Sequence, residues 1–215
     1  MIKKVIILMG LPGSGKGTQG AILSKDLSLP HISTGDIFRK MVQEDSSESK
    51  MLASYMNEGK LIPSELVNKV VRKYIASDEC KNGCILDGYP RTLEQAEYFI
   101  EKIEADISTI FFDLSNDEAI KRILGRISCV ACGRIYNEYF DKPLKSGVCD
   151  ECGSNDLLTR LDDDQDTIIA RLDEYRKETL PMIEYYKKKG KFYIVNAGQS
   201  KQKVVAEVAS IVKKI

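Results

Sequence analysis

A chain of 215 residues with 32 basic and 32 acidic side chains, six cysteines, one histidine and no tryptophan has room for one large domain and a sizeable core, without disulfide staples. The charges cancel, so composition supplies no general pull toward nucleic acid or an anionic membrane. The single histidine, His31, excludes His-rich metal sites and most His-based triads. With 43% hydrophobic and 30% charged residues, the chain reads as an ordinary soluble globular protein.

No run approaches the ~18 apolar residues of a membrane span. Lys3-Lys4 followed by Val5-Ile6-Ile7-Leu8-Met9 superficially resembles a secretion leader. The apolar run is too short, however, and passes into Gly10-Leu11-Pro12-Gly13-Ser14-Gly15-Lys16 without a small-residue cleavage site. It reads as the first buried strand, Val5–Met9, of a cytoplasmic protein. Further strands are expected around His31–Ser33 and at Cys84–Asp87, Thr109–Leu114 and Phe192–Val195. Between them, Leu66–Ile75 has helical period, with Leu66, Val67, Val70, Val71 and Tyr74 on one face. Thr92-x-x-Gln95 and Ser115-x-x-Glu118 carry capping-box spacing. A last helix over Gln202–Lys213 turns Val204, Val205, Val208, Ile211 and Val212 to the core. Strands alternating with helices predict an α/β fold around a five-stranded parallel sheet. Two segments break the alternation and read as insertions. Residues 34–63 are helical and polar, with Glu44–Ser49 as a solvated loop, and residues 127–160 are rich in Cys, Gly and Asp with a weak β pattern.

Gly10-Leu11-Pro12-Gly13-Ser14-Gly15-Lys16-Gly17-Thr18 follows a strand and precedes a helix, where a phosphate loop belongs. Its glycines let the backbone curl so that N–H groups converge on phosphate oxygens, and the helix adds its positive end. Lys16 is placed to reach β/γ-phosphates. The general signature has Ser or Thr directly after the lysine; here Gly17 intervenes before Thr18, leaving the contact of that hydroxyl with a metal open.

Taken together, Gly10–Thr18, Ser33-Thr34-Gly35-Asp36, Asp87-Gly88-Tyr89-Pro90-Arg91 and the later arginines resemble the adenylate kinase family over about residues 1–198. The resemblance implies a P-loop NTPase-type core (1–33, 64–126 and 161–215), a monophosphate-binding insertion (34–63) and a mobile lid (127–160). It implies reversible transfer between ATP and AMP to give two ADP, with Mg²⁺ on the donor, in a monomer; the alternative is another nucleoside-monophosphate kinase or a GTP-using AMP kinase. Six of the nine arginines take roles by the resemblance. Arg39 and Arg91 match the pair that grips the acceptor phosphate, while Arg126, Arg160 and Arg171 match those converging on the transferred group. Arg122 resembles the residue along the donor base, with Gln199 also on the donor side. Thr34, Gly88 and Gln95 match positions reading an acceptor adenine, beside Lys60-Leu61-Ile62 and Tyr89-Pro90. Thr34 favours AMP over UMP or CMP, and Gln95 has a rival role in the Thr92 capping box. Asp162 and Asp163 match carboxylates that pair with lid arginines, and Asp36 resembles a support for the acceptor pocket, a helix-start Asp being the alternative.

These residue types suit the chemistry. An acceptor that is itself a phosphate is already an ionised nucleophile and needs no base, so His31 reads as structural. Catalysis reduces to aligning two anions and neutralising their repulsion, for which guanidinium forks surpass lysine's point charge. Asp87, ending a strand beside the loop, can hold Mg²⁺ through water.

Cys129-x-x-Cys132-Gly133 and Cys149-x-x-Cys152-Gly153 are two knuckles sixteen residues apart. Four thiolates in this spacing predict a closed tetrahedral Zn²⁺ site; an iron–sulfur cluster is the alternative. Cys80 and Cys84 lie outside the knuckles and read as buried core. A regulatory GTPase is disfavoured because Asn68-Lys69 is followed by Val70-Val71 rather than completing a guanine-reading Asn-Lys-x-Asp. A nucleic-acid-binding ribbon is disfavoured because 127–160 carries only a handful of basic residues. The expected partners are therefore ATP, AMP and ADP, without nucleic acid or membrane.

Overall fold

The first apolar run is buried along its length because it lies in the middle of a parallel sheet. The computed structural model describes residues 2–215. Its elements run β1 (Lys4–Gly10), α1 (Lys16–Leu27), β2 (His31–Ser33), α2 (Thr34–Met41), α3 (Ser47–Asn57), α4 (Ser64–Ile75), β3 (Cys84–Asp87), α5 (Leu93–Lys102), β4 (Asp106–Asp113) and α6 (Asn116–Leu124). There follow β5 (Arg126–Cys129), β6 (Ile135–Asn137), β7 (Leu157–Leu158), α7 (Gln165–Glu174), α8 (Leu180–Lys189), β8 (Phe192–Asn196) and α9 (Lys201–Val212).

The main sheet has the order β2-β3-β1-β4-β8, all parallel. Helices cover both faces, so β1 needs no polar alternation. Its side chains divide by the strand's period of two: Ile6 and Leu8 pack with Leu23, Ile123, Val208 and Ile211, while Val5, Ile7 and Met9 pack with Phe38, Val67, Phe99 and Tyr186. Cys80 and Cys84 are buried in the second of these cores. The chain leaves β1 for β2 and β3 on one side, then crosses to β4 and β8 on the other. A crevice opens beyond the carboxyl ends of strands at such a reversal of order, and residues 10–15, 34–36 and 87–91 emerge there.

The segment 127–160 forms, with Arg126, a three-stranded antiparallel sheet, β6-β5-β7. Its own small core contains Cys129, Tyr136 and Cys149. Among the described residues, no helix is long and apolar enough to cross a membrane.

Several local expectations change. Glu44–Ser49 is not wholly loop: Ser46 caps α3, its Oγ accepting from Ser49 N–H at 3.0 Å while Ser49 Oγ accepts from Ser46 N–H at 3.1 Å. A serine at the third helical position completes this capping box, which a search for Glu or Gln passes over. The two boxes expected elsewhere are half-made. Thr92 and Ser115 accept from the backbones of Gln95 and Glu118, but the Gln95 side chain turns to Arg91 and that of Glu118 to Arg122. Val205, expected in the core, is half-buried and lines the large cavity described next.

Candidate active site

A cavity of about 1070 Å³ occupies the crevice, at the upper limit of the roughly 300–1,000 Å³ typical of small-molecule sites. Residues 10–18, excepting Leu11, form its floor. Gly15 is the N-cap of α1 and supplies no side-chain acceptor, so the first N–H groups of that helix face the floor as an anion site. Lys16 Nζ donates to the carbonyls of Gly10 (2.7 Å) and Leu11 (2.8 Å) and lies 3.3 Å from Ser14 Oγ. Burial lowers its pKa to about 8 against the opposing pull of Asp87, with Arg91, Arg171 and Arg126 lowering it further.

All six arginines singled out from the sequence reach this cavity. Arg126 forks onto Asp163. Arg171 Nη1 donates to Asp162 (3.2 Å) and Asp163 (3.3 Å), and Arg39 Nη1 lies 3.6 Å from Asp162. Asp36 takes Arg39 at 2.6 Å and faces Arg160 at 3.7 Å; Arg160 Nε also donates to Ser128 Oγ at 3.1 Å. Burial, then mutual repulsion, pushes Arg91 and Arg160 down to about 10 each. Arg122 is held by Glu118 at 3.0 Å, with its guanidinium 5.8 Å from the Phe140 ring centroid. Gln199 also lines the cavity and donates to Glu207 at 2.7 Å.

Asp87 ends β3 at the cavity wall. Burial alone would raise its carboxyl, but the facing His31 imidazole and the Lys16 ammonium outweigh this and hold it below the ordinary carboxylate range. His31 Nε2 is 3.6 Å from Asp87 Oδ2, too long for a hydrogen bond. Gly20 makes space for this ring, since a Cβ there would lie 2.4 Å from His31 Nε2. Gly17 sits over the same carboxylate, its missing Cβ falling 3.4 Å from Asp87 Oδ2.

A smaller cavity of about 70 Å³ adjoins the first and is lined in part by Thr34, Lys60, Leu61, Ile62, Gly88 and Gln95. Gly88, at φ 77°, organises its entrance. Its carbonyl accepts from Thr34 Oγ1 and from Arg91 Nε, each at 2.8 Å, while a Cβ would lie 2.8 Å from both Arg91 Nη2 and Thr34 Oγ1. Gln95 Oε1 accepts from Arg91 N–H at 2.9 Å, and its Nε2 lies 3.4 Å from Ser64 Oγ. The Lys60 ammonium turns outward to Glu58 at 2.7 Å. Pro90 reaches the large cavity. Tyr89, expected beside the acceptor, does not: its ring is 1% exposed, stacks edge-on against Phe99, and its hydroxyl donates to Asn68 Oδ1 at 2.7 Å. Its bulk belongs to the core beneath the loop.

The four knuckle cysteines converge, with all Sγ atoms within 4.8 Å of one another. The Cys129–Cys152 and Cys132–Cys149 separations are 3.6 Å, far beyond a disulfide bond. They are close to the about 3.8 Å tetrahedral edge implied by Zn–S bonds of about 2.3 Å. Gly133 and Gly153 N–H donate back to Cys129 and Cys149 carbonyls at 2.9 and 2.8 Å, closing each knuckle. The Tyr136 hydroxyl donates to Cys149 Sγ at 3.4 Å and helps bring that thiol down to about 6. The donor set fits zinc.

Reading the sequence alone passes over Phe140, whose exposed ring (59%) is a visible oddity in a polar insertion. It also passes over Asn137, which holds the Arg122 carbonyl at 2.9 Å, and over Thr179; neither has a local signal. Asp164, third in the acidic run, is the N-cap of α7, accepting from Thr167 N–H at 3.0 Å.

A parallel sheet with a glycine-rich loop at its switch point, opening on a cleft crowded with arginines, defines a P-loop protein that binds nucleoside phosphates. A family model described as adenylate kinase matches residues 8–191. Relatives named adenylate kinase include those of Rickettsia africae, 48% identical over 97% of this chain and 99% of the relative, and of Rickettsia typhi, 46% identical over the same shares. The chain belongs to the adenylate kinase family.

The lowered pKa of Lys16 has a measurable consequence. A polyphosphate laid against it restores the charged form, so nucleoside triphosphate binding at about pH 8.5 is expected to draw a proton from solution, and affinity to fall as pH rises past 8. Titration calorimetry in two buffers of different ionisation enthalpy reads the uptake. A binding heat independent of buffer contradicts it.

Proposed function

We propose that the protein catalyses reversible, Mg²⁺-dependent phosphoryl transfer, ATP + AMP = 2 ADP. The observation that carries this reading is one cleft lined both by the phosphate loop and by Arg39, Arg91, Arg126, Arg160 and Arg171. Family membership supports it.

In this mechanism an oxygen of the AMP phosphate forms a bond to the γ-phosphorus of ATP while the bond from that phosphorus to the β–γ bridging oxygen breaks. No proton has to move at the reacting atoms, so no base is required. Lys16 and the N–H groups of Gly13 and of residues 15–18 hold the donor phosphates. Arg39 and Arg91 hold the acceptor, while Arg126, Arg160 and Arg171 offset charge on the group in transit; comparable arginines elsewhere contribute roughly 10³–10⁵ in rate. Arg122, with Phe140 and Gln199, takes the donor base. Thr34, Gly88 and Gln95, beside residues 60–62, read the acceptor adenine. Asp87, ionised at the loop, would hold Mg²⁺ through water, and the metal when bound neutralises β- and γ-oxygens. Residues 127–160 act as a lid whose closure excludes water and spares ATP from hydrolysis. Cys129, Cys132, Cys149 and Cys152 would hold one structural Zn²⁺ that keeps this lid rigid. The reading includes a monomer working in the cytoplasm.

Transfer assayed across AMP, UMP, CMP and GMP, with ATP and GTP as donors, tests the reaction. AMP with ATP is expected to be the fastest pair, forming two ADP per ATP consumed. Absence of AMP-dependent ADP formation contradicts it. For the lid, metal analysis is expected to find about one zinc per chain, and chelation to lower the melting temperature, because structural zinc binding is coupled to folding. An unchanged melting temperature after complete zinc removal contradicts the structural role.

A further inference from the structure

Between α7 and α8 the helical rod widens into a π-turn over Tyr175–Thr179. Pro181, two residues beyond, accounts for the break: it has no N–H to bond the carbonyl four residues back, and its ring crowds that carbonyl. Leu180 N–H donates instead to Tyr175 O, five residues back. In an α-helix of 3.6 residues per turn, a residue four places on overshoots one turn; in the wider π-turn it falls short. The two departures offset each other. Arg171, Tyr175 and Thr179 therefore keep to one row, and all three line the large cavity.

At the end of this row the Thr179 hydroxyl, in a residue only 7% exposed, donates to the Arg91 carbonyl at 2.8 Å. On the other side of the same residue, Gln95 Oε1 accepts from Arg91 N–H at 2.9 Å. Both peptide groups of Arg91 are thus held by side chains, one from α5 and one from the π-turn, while its Nε donates to Gly88 O. An arginine on a loop after a strand would otherwise have considerable backbone freedom. We propose that Thr179 is a positioning residue for Arg91, brought into place by the π-turn, so that one irregular helix sets both Arg171 and the backbone of Arg91. This rests on the reading of Arg91 as a grip on the acceptor phosphate. Thr179 acts through the Arg91 carbonyl and contributes no charge of its own.

The experiment measures AMP and ATP dissociation constants by calorimetry for the wild type, Thr179→Val and Thr179→Ser, and for Thr179→Val in an Arg91→Ala background. Loss of one neutral hydrogen bond is expected to weaken AMP about three- to tenfold, with ATP changed less than about twofold. Thr179→Ser, which keeps the hydroxyl, is expected to restore AMP binding. With the Arg91 side chain gone, Thr179→Val should weaken AMP no further, as expected for residues acting as one unit. Unchanged AMP affinity in Thr179→Val, equal losses for both nucleotides, failure of the serine to rescue, or multiplying effects in the double variant each overturn the proposal. If valine prevents folding, Thr179→Ala, which only removes atoms, carries the same comparison. Binding is measured apart from turnover, so wild type that binds AMP without transferring phosphate counts against the proposed reaction and leaves the Thr179 comparison intact.

Discussion

Six guanidinium groups and the Lys16 ammonium share a single cleft, and like charges this close repel unless anions lie among them. The protein supplies some compensation itself, and in a particular pattern. Asp163, whose side chain is fully buried, takes both Arg126 and Arg171. Asp162 lies between Arg171 and Arg39, and Asp36 between Arg39 and Arg160. Each carboxylate is shared by two arginines from different parts of the chain. The core, the 34–63 segment and the 127–160 segment are joined across the cleft by these shared acids, which hold the cations together without neutralising them all. The cations that remain, kept partly desolvated, give the cleft its demand for phosphate.

The rest of the fold can be understood as the frame for that charge cluster. Parallel strands buried on both faces end at one rim, so Lys16, Thr34 and Asp87 arrive beside one another without long loops. The switch in strand order leaves the opening into which the arginines project. Surface pairs that bridge from the 127–160 segment to the core, Lys25–Glu151 and Lys201–Asp141, are open to solvent and contribute little. The buried, shared contacts at Asp162 and Asp163 are the stronger ties.

Legibility in the sequence follows the range of the interaction concerned. The phosphate loop is readable because its glycines, lysine and flanking strand and helix are contiguous. The cysteine knuckles are readable because two ligands three residues apart fix half of a tetrahedron locally. The strands are readable because continuous apolar runs have few alternatives once both faces are covered. The arginines are different: nothing local separates Arg126 or Arg160 from an exposed surface cation, and only the family resemblance singles them out. Thr179 and Asn137 are harder still, since their partners, the Arg91 and Arg122 carbonyls, belong to distant backbone that no side-chain pattern reports. Tyr89 shows the opposite failure. Its place in a recognisable motif suggested a wall residue, but a large ring beside a tight glycine turn finds its burial in the core. The loop expected at Glu44–Ser49 shortened for a simple reason, a serine pair capping α3 where the usual acidic partner is missing.

The cleft is expected to hold two phosphate chains at separate cationic stations, with Arg91 belonging to the acceptor. Calorimetric titration of AMP and of ATP into wild type and Arg91→Ala tests this most directly. Expected is a large loss of AMP affinity in the variant, with ATP affinity nearly unchanged. Equal losses for the two nucleotides would contradict two separate stations.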